Sequence, residues 1–226
     1  MATIFHPGLG RTLRYDVQVV DDDPDVQVAQ VIDIMSGHVE RDSQDPAVIA
    51  QAQQALALGN GDPLQGVFDL VRSQLRFTRD EKLASPVASL YSLPFVETFI
   101  PPSAMARMCD GDASGRPCVR QGDCDDYAMY AAALLRALGV KARFVTVAAD
   151  SRDPEQYTHV YLAAYPAGGG RIPMDVSHGD YVGWEHEGNY KLKEWDIGPG
   201  RHNAEWLLIG AAILGGYVAY RKGWLN

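Results

Sequence analysis

Three residues in this chain have the types and spacing for nucleophilic catalysis. Cys124 stands in Gly122-Asp123-Cys124-Asp125-Asp126-Tyr127, at the head of an apolar run that ends at residue 138. His159 follows 35 positions later, and Asp175 a further 16. Tyr127, Ala131, Leu134, Leu135, Leu138 and Val140 give the i, i+3, i+4 spacing of a helix buried on one face, and Gly139 suits the position just past its end. Asp123 reads as the N-cap, which puts Cys124 in the first turn. There the helix dipole and the free N–H groups favour a thiolate and an oxyanion. His159 and Asp175 fall on two short strands joined by a turn, where they can be neighbours. Nucleophile, base and orienting carboxylate are the parts such chemistry needs. Asp123, Asp125 and Asp126 act against it by crowding the thiol with negative charge. That cost falls if Asp125 or Asp126 turns away to cap backbone or to pair with Arg120 or Lys141.

Other candidates carry blander readings. Cys109, Cys118 and Cys124 with a histidine could hold zinc, but intervals of eight and then five residues fit no common zinc pattern. Asp21, Asp22, Asp23 and Asp25 around Pro24 lack the ligand spacing and the glycine of a calcium loop, so they read as a solvated turn capping a helix. No metal and no cofactor is expected. His178 and His186 either line a cleft or are solvated. Trp184 and Trp195 read as packing residues, with Trp184 also a candidate for the cleft wall.

The positioning elements follow from periodicity. Leu13, Tyr15, Val17 and Val19 alternate over residues 12–20, as a half-buried strand does. Val28, Val31, Ile32 and Met35 predict a helix over 26–39. Asp45-Pro46 opens a second, with Val48, Ile49, Ala52 and Leu56, closing at Gly59. Asp62-Pro63 is an N-cap with proline at the first helical position, followed by Leu64, Val67, Phe68, Val71 and Leu75. Residues 85–93 read as a short helix. Residues 94–121, with Pro101-Pro102, Gly111, Gly115 and Pro117, read as a long loop leading into Cys124, fit to wall or cover a cleft. After the central helix the period changes to two, over 142–147, 159–163 and 171–175. Gly168-Gly169-Gly170 turns between the last two, as in an antiparallel hairpin. Residues 176–200 read as loop. Helices followed by antiparallel strands make an α+β chain.

Taken in order, the Gly122-Asp123-Cys124-Asp125-Asp126 block, the Ala-rich helix to Leu138-Gly139-Val140, Thr158-His159-Val160-Tyr161 and Pro173-Met174-Asp175 resemble the transglutaminase-like superfamily. That superfamily is a branch of the papain-like cysteine enzymes. Phe68-Asp69-Leu70-Val71-Arg72, Leu75-Arg76-Phe77 and Asp80-Glu81 before Ser85-Pro86 are similar too, and the nearest flavour is the bacterial and bacteriophage branch. The resemblance spans roughly residues 26–180. It implies a papain/transglutaminase-like α+β fold, with a central Cys-bearing helix packed on an antiparallel sheet behind a helical N-terminal part. It gives Cys124 the role of nucleophile, His159 that of base and Asp175 that of third member. The implied chemistry is acyl transfer from an amide through a thioester. Water as acceptor makes a peptidase or amidase, and an amine makes a protein-glutamine cross-linker. The Cys124 N–H is one oxyanion donor by position, with Gln121 or the preceding loop as candidates for the second. The alternative is a catalytically inactive, tail-associated virion component that keeps the fold for its shape.

The chain divides into an N-terminal strand and acidic turn (1–25), the transglutaminase-like region (26–200) and an apolar end (201–226). Residues 206–220 hold no charge, have aromatics at both ends and precede Arg221-Lys222. As a helix these 15 residues reach about 22 Å, short of a ~30 Å hydrocarbon core. They read as a C-terminal apolar helix packed on protein or a neighbouring subunit, as a membrane-inserting tail, or as a strand-like or disordered end. A formal net charge of -9 without a basic cluster excludes a nucleic-acid partner. The expected partners are a protein or cell-wall peptide substrate and other virion proteins. Three cysteines cannot all pair, and residues 1–14 do not resemble a secretory leader. The expected location is therefore a reducing, cytoplasmic one, or, as the resemblance to the bacteriophage branch implies, the virion.

Overall fold

The computed structural model describes residues 2–6, 11–19, 23–80, 97–108, 120–186, 190–198 and 215–220. The chain begins with strands β1 (Ala2–His6) and β2 (Arg11–Val19), then helices α1 (Pro24–Asp42), α2 (Pro46–Leu58) and α3 (Pro63–Gln74). Strands β3 (Leu75–Phe77) and β4 (Glu97–Phe99), helix α4 (Pro102–Arg107), strand β5 (Arg120–Gly122) and helix α5 (Cys124–Ala137) follow. Strands β6 (Lys141–Val147), β7 (His159–Tyr165), β8 (Ile172–Met174), β9 (Leu192–Asp196) and β10 (Gly215–Tyr220) come last.

The first three helices start by one device. Asp23, Asp45 and Asp62 each precede a proline, and each side chain accepts from N–H groups of the first turn. The proline has no N–H to leave unsatisfied, and the carboxylate meets the positive end of the dipole. In the acidic run before α1, Asp23 is thus a cap, while Asp25 pairs with Lys191 at 2.8 Å. The apolar stripes bury as the spacing predicts, through Val28, Ile32, Met35 and Val39 on α1 and Val67, Phe68 and Val71 on α3.

The buried element at the centre is α5. Every residue from 125 to 135 is buried, because α1, α2 and α3 cover one side and β6 and β7 the other. The sheet beneath it runs β8-β7-β6-β9, antiparallel throughout, with Val147 opposite His159 and Leu162 opposite Met174. This is a mixed helix and sheet structure consistent with an α+β, transglutaminase-like arrangement.

Three expectations need correction. The stretch read as a loop over 94–121 carries β4, α4 and β5, while residues 109–119 lie outside the described residues. Thr98 and Phe99 are β-formers, and the proline pair opens a helix as well as it breaks one. The stretch read as loop over 176–200 contains β9. The C-terminal apolar helix is, over its last six residues, strand β10. Gly215 and Gly216 disfavour helix, and Tyr217, Val218 and Tyr220 favour strand. β10 lies parallel to β2 and antiparallel to β4, in a sheet of order β1-β2-β10-β4. Residues 85–93 and 206–214 lie outside the described residues. No described helix is long and apolar enough to cross a membrane.

The α2–α3 crossing depends on Gly66, where an added Cβ would lie 2.0 Å from the carbonyl oxygen of Ala55. Backbone cannot yield as a side chain does, so Gly66→Ala forces the helices apart. The expected cost is ~1–3 kcal/mol or more, read as a lower urea midpoint.

Candidate active site

Cys124 is placed by what comes immediately before it. β5 pairs in parallel with β3, Phe77 opposite Gly122, and Thr78 N donates to Gly122 O at 2.8 Å. A Cβ at Gly122 would meet Asp126 Oδ2 at 2.7 Å, so only glycine lets the Asp126 side chain fold over this turn. Asp126 Oδ1 then accepts from Ile100 N at 2.6 Å, and Asp125 Oδ1 accepts from Asp126 N at 2.7 Å. These are the backbone bonds expected as one alternative for Asp125 and Asp126, whereas the reading of Asp123 as the cap changes. Asp123 stands at the N-cap position in extended conformation, but its side chain makes no capping bond. Neither Arg120 nor Lys141 pairs with the helix-start carboxylates among the contacts seen. Arg120 is buried and spends its guanidinium on Met105 O, Ala106 O and Gln74 Oε1.

His159 opens β7 and Asp175 follows directly on β8, so they sit diagonally across one ladder, within reach of each other. His159 Nε2 lies 2.7 Å from Asp175 Oδ2, with the histidine side chain 7% exposed and the carboxylate 0%. Asp175 Oδ1 accepts from Ser177 N, Ser177 Oγ and His178 N. Burial raises Asp175, but the bond and charge of His159, with the His178 and Ser177 donors, hold it down to about 2.

A cleft of about 540 Å³ joins these parts. Cys124, His159 and His178 line it, with Val28, Ile32 and Met35 of α1 as an apolar wall. The Val160 N–H, next to His159 along the chain, favours the charged form of the Cys124 sulfur. Asp80, Glu97 and Asp123, whose carboxylates lie close together, give the cleft an acidic wall. Gln121 and Trp184 are not among the described residues lining the cleft. Gln121 sits opposite Arg76 in the β3–β5 ladder, and Trp184 packs edge-on against His186, which does line it.

The thiol is not held as a thiolate. Burial first, then the charges of Asp123, Glu97 and Asp80, push it well above its ordinary value against the Val160 N–H. The helix terminus offers the thiolate only about 0.3–2 kcal/mol, and burial with the neighbouring carboxylates outweighs it. Asp125 and Asp126 are themselves pushed up, by burial and then by Asp123.

Two carboxylate groups, Asp80 with Glu97 and Asp123, and Asp123 with Asp125 and Asp126, bring oxygens within 4.8 Å of one another and could hold a cation. His159, Asp175 and His178 meet the same distance, but the first two already spend their ligand atoms on each other. Asp80 and Glu97 lie far from Cys124 in sequence, and nothing in their local pattern announces the wall they form.

Residues 111–176 match the family model described as the transglutaminase-like superfamily. The matched stretch contains Cys124, His159 and Asp175, and the match points to a cysteine-dependent acyltransferase or peptidase type of fold. No curated protein matches the chain.

The low value of Asp175 has a consequence for stability. A folded value near 2 against an ordinary 3.8 means that its stabilisation is complete above about pH 4 and is lost as the pH falls towards 2. Asp175→Asn is expected to flatten the part of the acid destabilisation that falls in this window, measured as urea midpoints of both proteins at each pH.

Proposed function

We propose that the chain carries out cysteine-dependent acyl transfer on amide bonds of protein or cell-wall peptide, with Cys124 as nucleophile, His159 as base and Asp175 as orienting carboxylate. The observation that carries this reading is the 2.7 Å bond from His159 Nε2 to the buried Asp175. An ionised carboxylate only accepts, so Nε2 carries the hydrogen and Nδ1 keeps the lone pair. Nδ1 takes the thiol proton as sulfur attacks the amide carbon. His159 then returns that proton to the leaving amine, and the acyl group remains on sulfur as a thioester. Water or an amine attacks next, the C–S bond breaks, and the thiol is restored. The Cys124 N–H, at the start of α5, supports the oxyanion in both halves. Because burial and then the carboxylates keep the resting thiol protonated, proton transfer accompanies attack instead of preceding it.

The same carboxylates favour a second reading, in which the fold is kept for its shape in a virion component and the thiol never reacts. Reactivity separates the two. Under the first reading Cys124 reacts with iodoacetamide near neutral pH faster than Cys109 and Cys118, and His159→Ala slows it by roughly 10²-fold. Equal labelling of the three cysteines, found by peptide mapping, would leave only the scaffold. Ammonia release that requires an added amine marks cross-linking, and release without one marks hydrolysis.

A further inference from the structure

The turn after Asp175 fixes the tautomer of a second imidazole. Ser177 Oγ lies 2.9 Å from Asp175 Oδ1 and 2.8 Å from His178 Nδ1. A hydroxyl has one proton, and the carboxylate can only accept it. That proton therefore goes to Asp175, and His178 Nδ1 must donate to Ser177 Oγ. In the neutral ring the lone pair is then at Nε2. Burial, the largest cause, holds His178 below its ordinary value against the pull of Asp175, so the neutral ring prevails at pH 7.

The ring is well placed. It lines the cleft that Cys124 lines, and stands edge-on to His159 at 4.7 Å and to Phe77 at 5.2 Å between centroids. Its turn is closed by Gly179 N donating to Asp175 O at 2.8 Å, and Arg72 Nη1 donates to Gly179 O, tying the turn to α3. His159 offers Nδ1 and His178 offers Nε2, so two imidazole lone pairs belong to one cleft.

We propose that His178 is a further catalytic residue, whose Nε2 accepts a hydrogen bond from the acyl acceptor in the second half-reaction; this rests on the function proposed above. Water and a primary amine each carry two hydrogens on the attacking atom. One is transferred to His159 Nδ1 as that atom bonds to the thioester carbon. The other donates to His178 Nε2 and turns the attacking lone pair towards that carbon. The new C–O or C–N bond forms, the C–S bond breaks, and the proton on His159 passes to the sulfur. His178 gains no proton. The first half-reaction has no acceptor, so His178 matters little there.

Acetylation by p-nitrophenyl acetate separates the halves, because the nitrophenolate burst follows acylation and the steady rate follows deacylation. His178→Leu is expected to keep the burst rate within about twofold while the steady rate falls about 10- to 100-fold, with acetyl-Cys124 accumulating by intact mass. His178→Gln, whose amide oxygen can accept from the acceptor, is expected to recover part of that loss. A wild type that acetylates Cys124 while His178→Leu changes neither phase, or lowers both equally, overturns the role of His178 alone. A wild type with no acetyl-Cys124 overturns the thiol reading and this inference with it. Nitrogen-15 NMR of the unaltered protein gives a check independent of any variant's folding: His178 is expected as the Nδ1–H tautomer, and an Nε2–H tautomer overturns the proposal.

Discussion

A helix gripped on all sides is what the site depends on. α5 is buried from residue 125 to 135, with helices on one side and the β6–β7 face on the other. Its first turn is held as firmly, because Asp126 folds over Gly122 to take the Ile100 N–H. An unpaired buried N–H costs about 1–3 kcal/mol, so that carboxylate binds the segment after β4 to the helix as it fixes the thiol. The sulfur therefore cannot shift without disturbing two other elements. A reacting group placed to within a fraction of an ångström needs such constraint, since small misplacements are expensive in rate.

Charge around the sulfur opposes its reactivity, and the fold accepts this. Asp80 takes the Thr98 N–H and Asp126 the Ile100 N–H, so two of the carboxylates near the thiol are structural. They anchor β4, which also borders β10 in the other four-stranded sheet. Removing them to favour a thiolate would leave buried donors unpaired. Asp175 receives four hydrogen bonds and holds both the His159 ring and the turn bearing His178. The carboxylates thus divide in role, some adding to burial in keeping the thiol neutral and one fixing two imidazoles.

Much of this was legible in the sequence. The Asp-Pro helix starts, the helical stripes and the period-two strands are local signals, and they placed α1, α2, α3, α5, β2, β6, β7 and β8 within a few residues. The three candidate site residues were legible because a helix start, a strand start and a strand end are each marked by nearby residues. What was missed is non-local. β4 and β10 exist because distant edges accept them, and neither apolar run states which partner will. Asp123 looks like a cap, yet its first turn is satisfied otherwise. The apolar wall from α1 and the acidic wall from Asp80 and Glu97 arise only when segments far apart in the chain meet. His178, read as cleft-lining or solvated, is both, and its significance lies in which atom holds one proton.

β10 enters its sheet between β2 and β4, although 195 residues separate it from β2. A chain synthesised from its amino end therefore makes both flanking strands long before the one that joins them. The β8-β7-β6-β9 sheet and the helices above it contain no such late member, so the half that carries Cys124, His159 and Asp175 can assemble first and the clasp closes afterwards. Tension on the carboxyl end would load that clasp first, through parallel bonds to β2 and antiparallel bonds to β4.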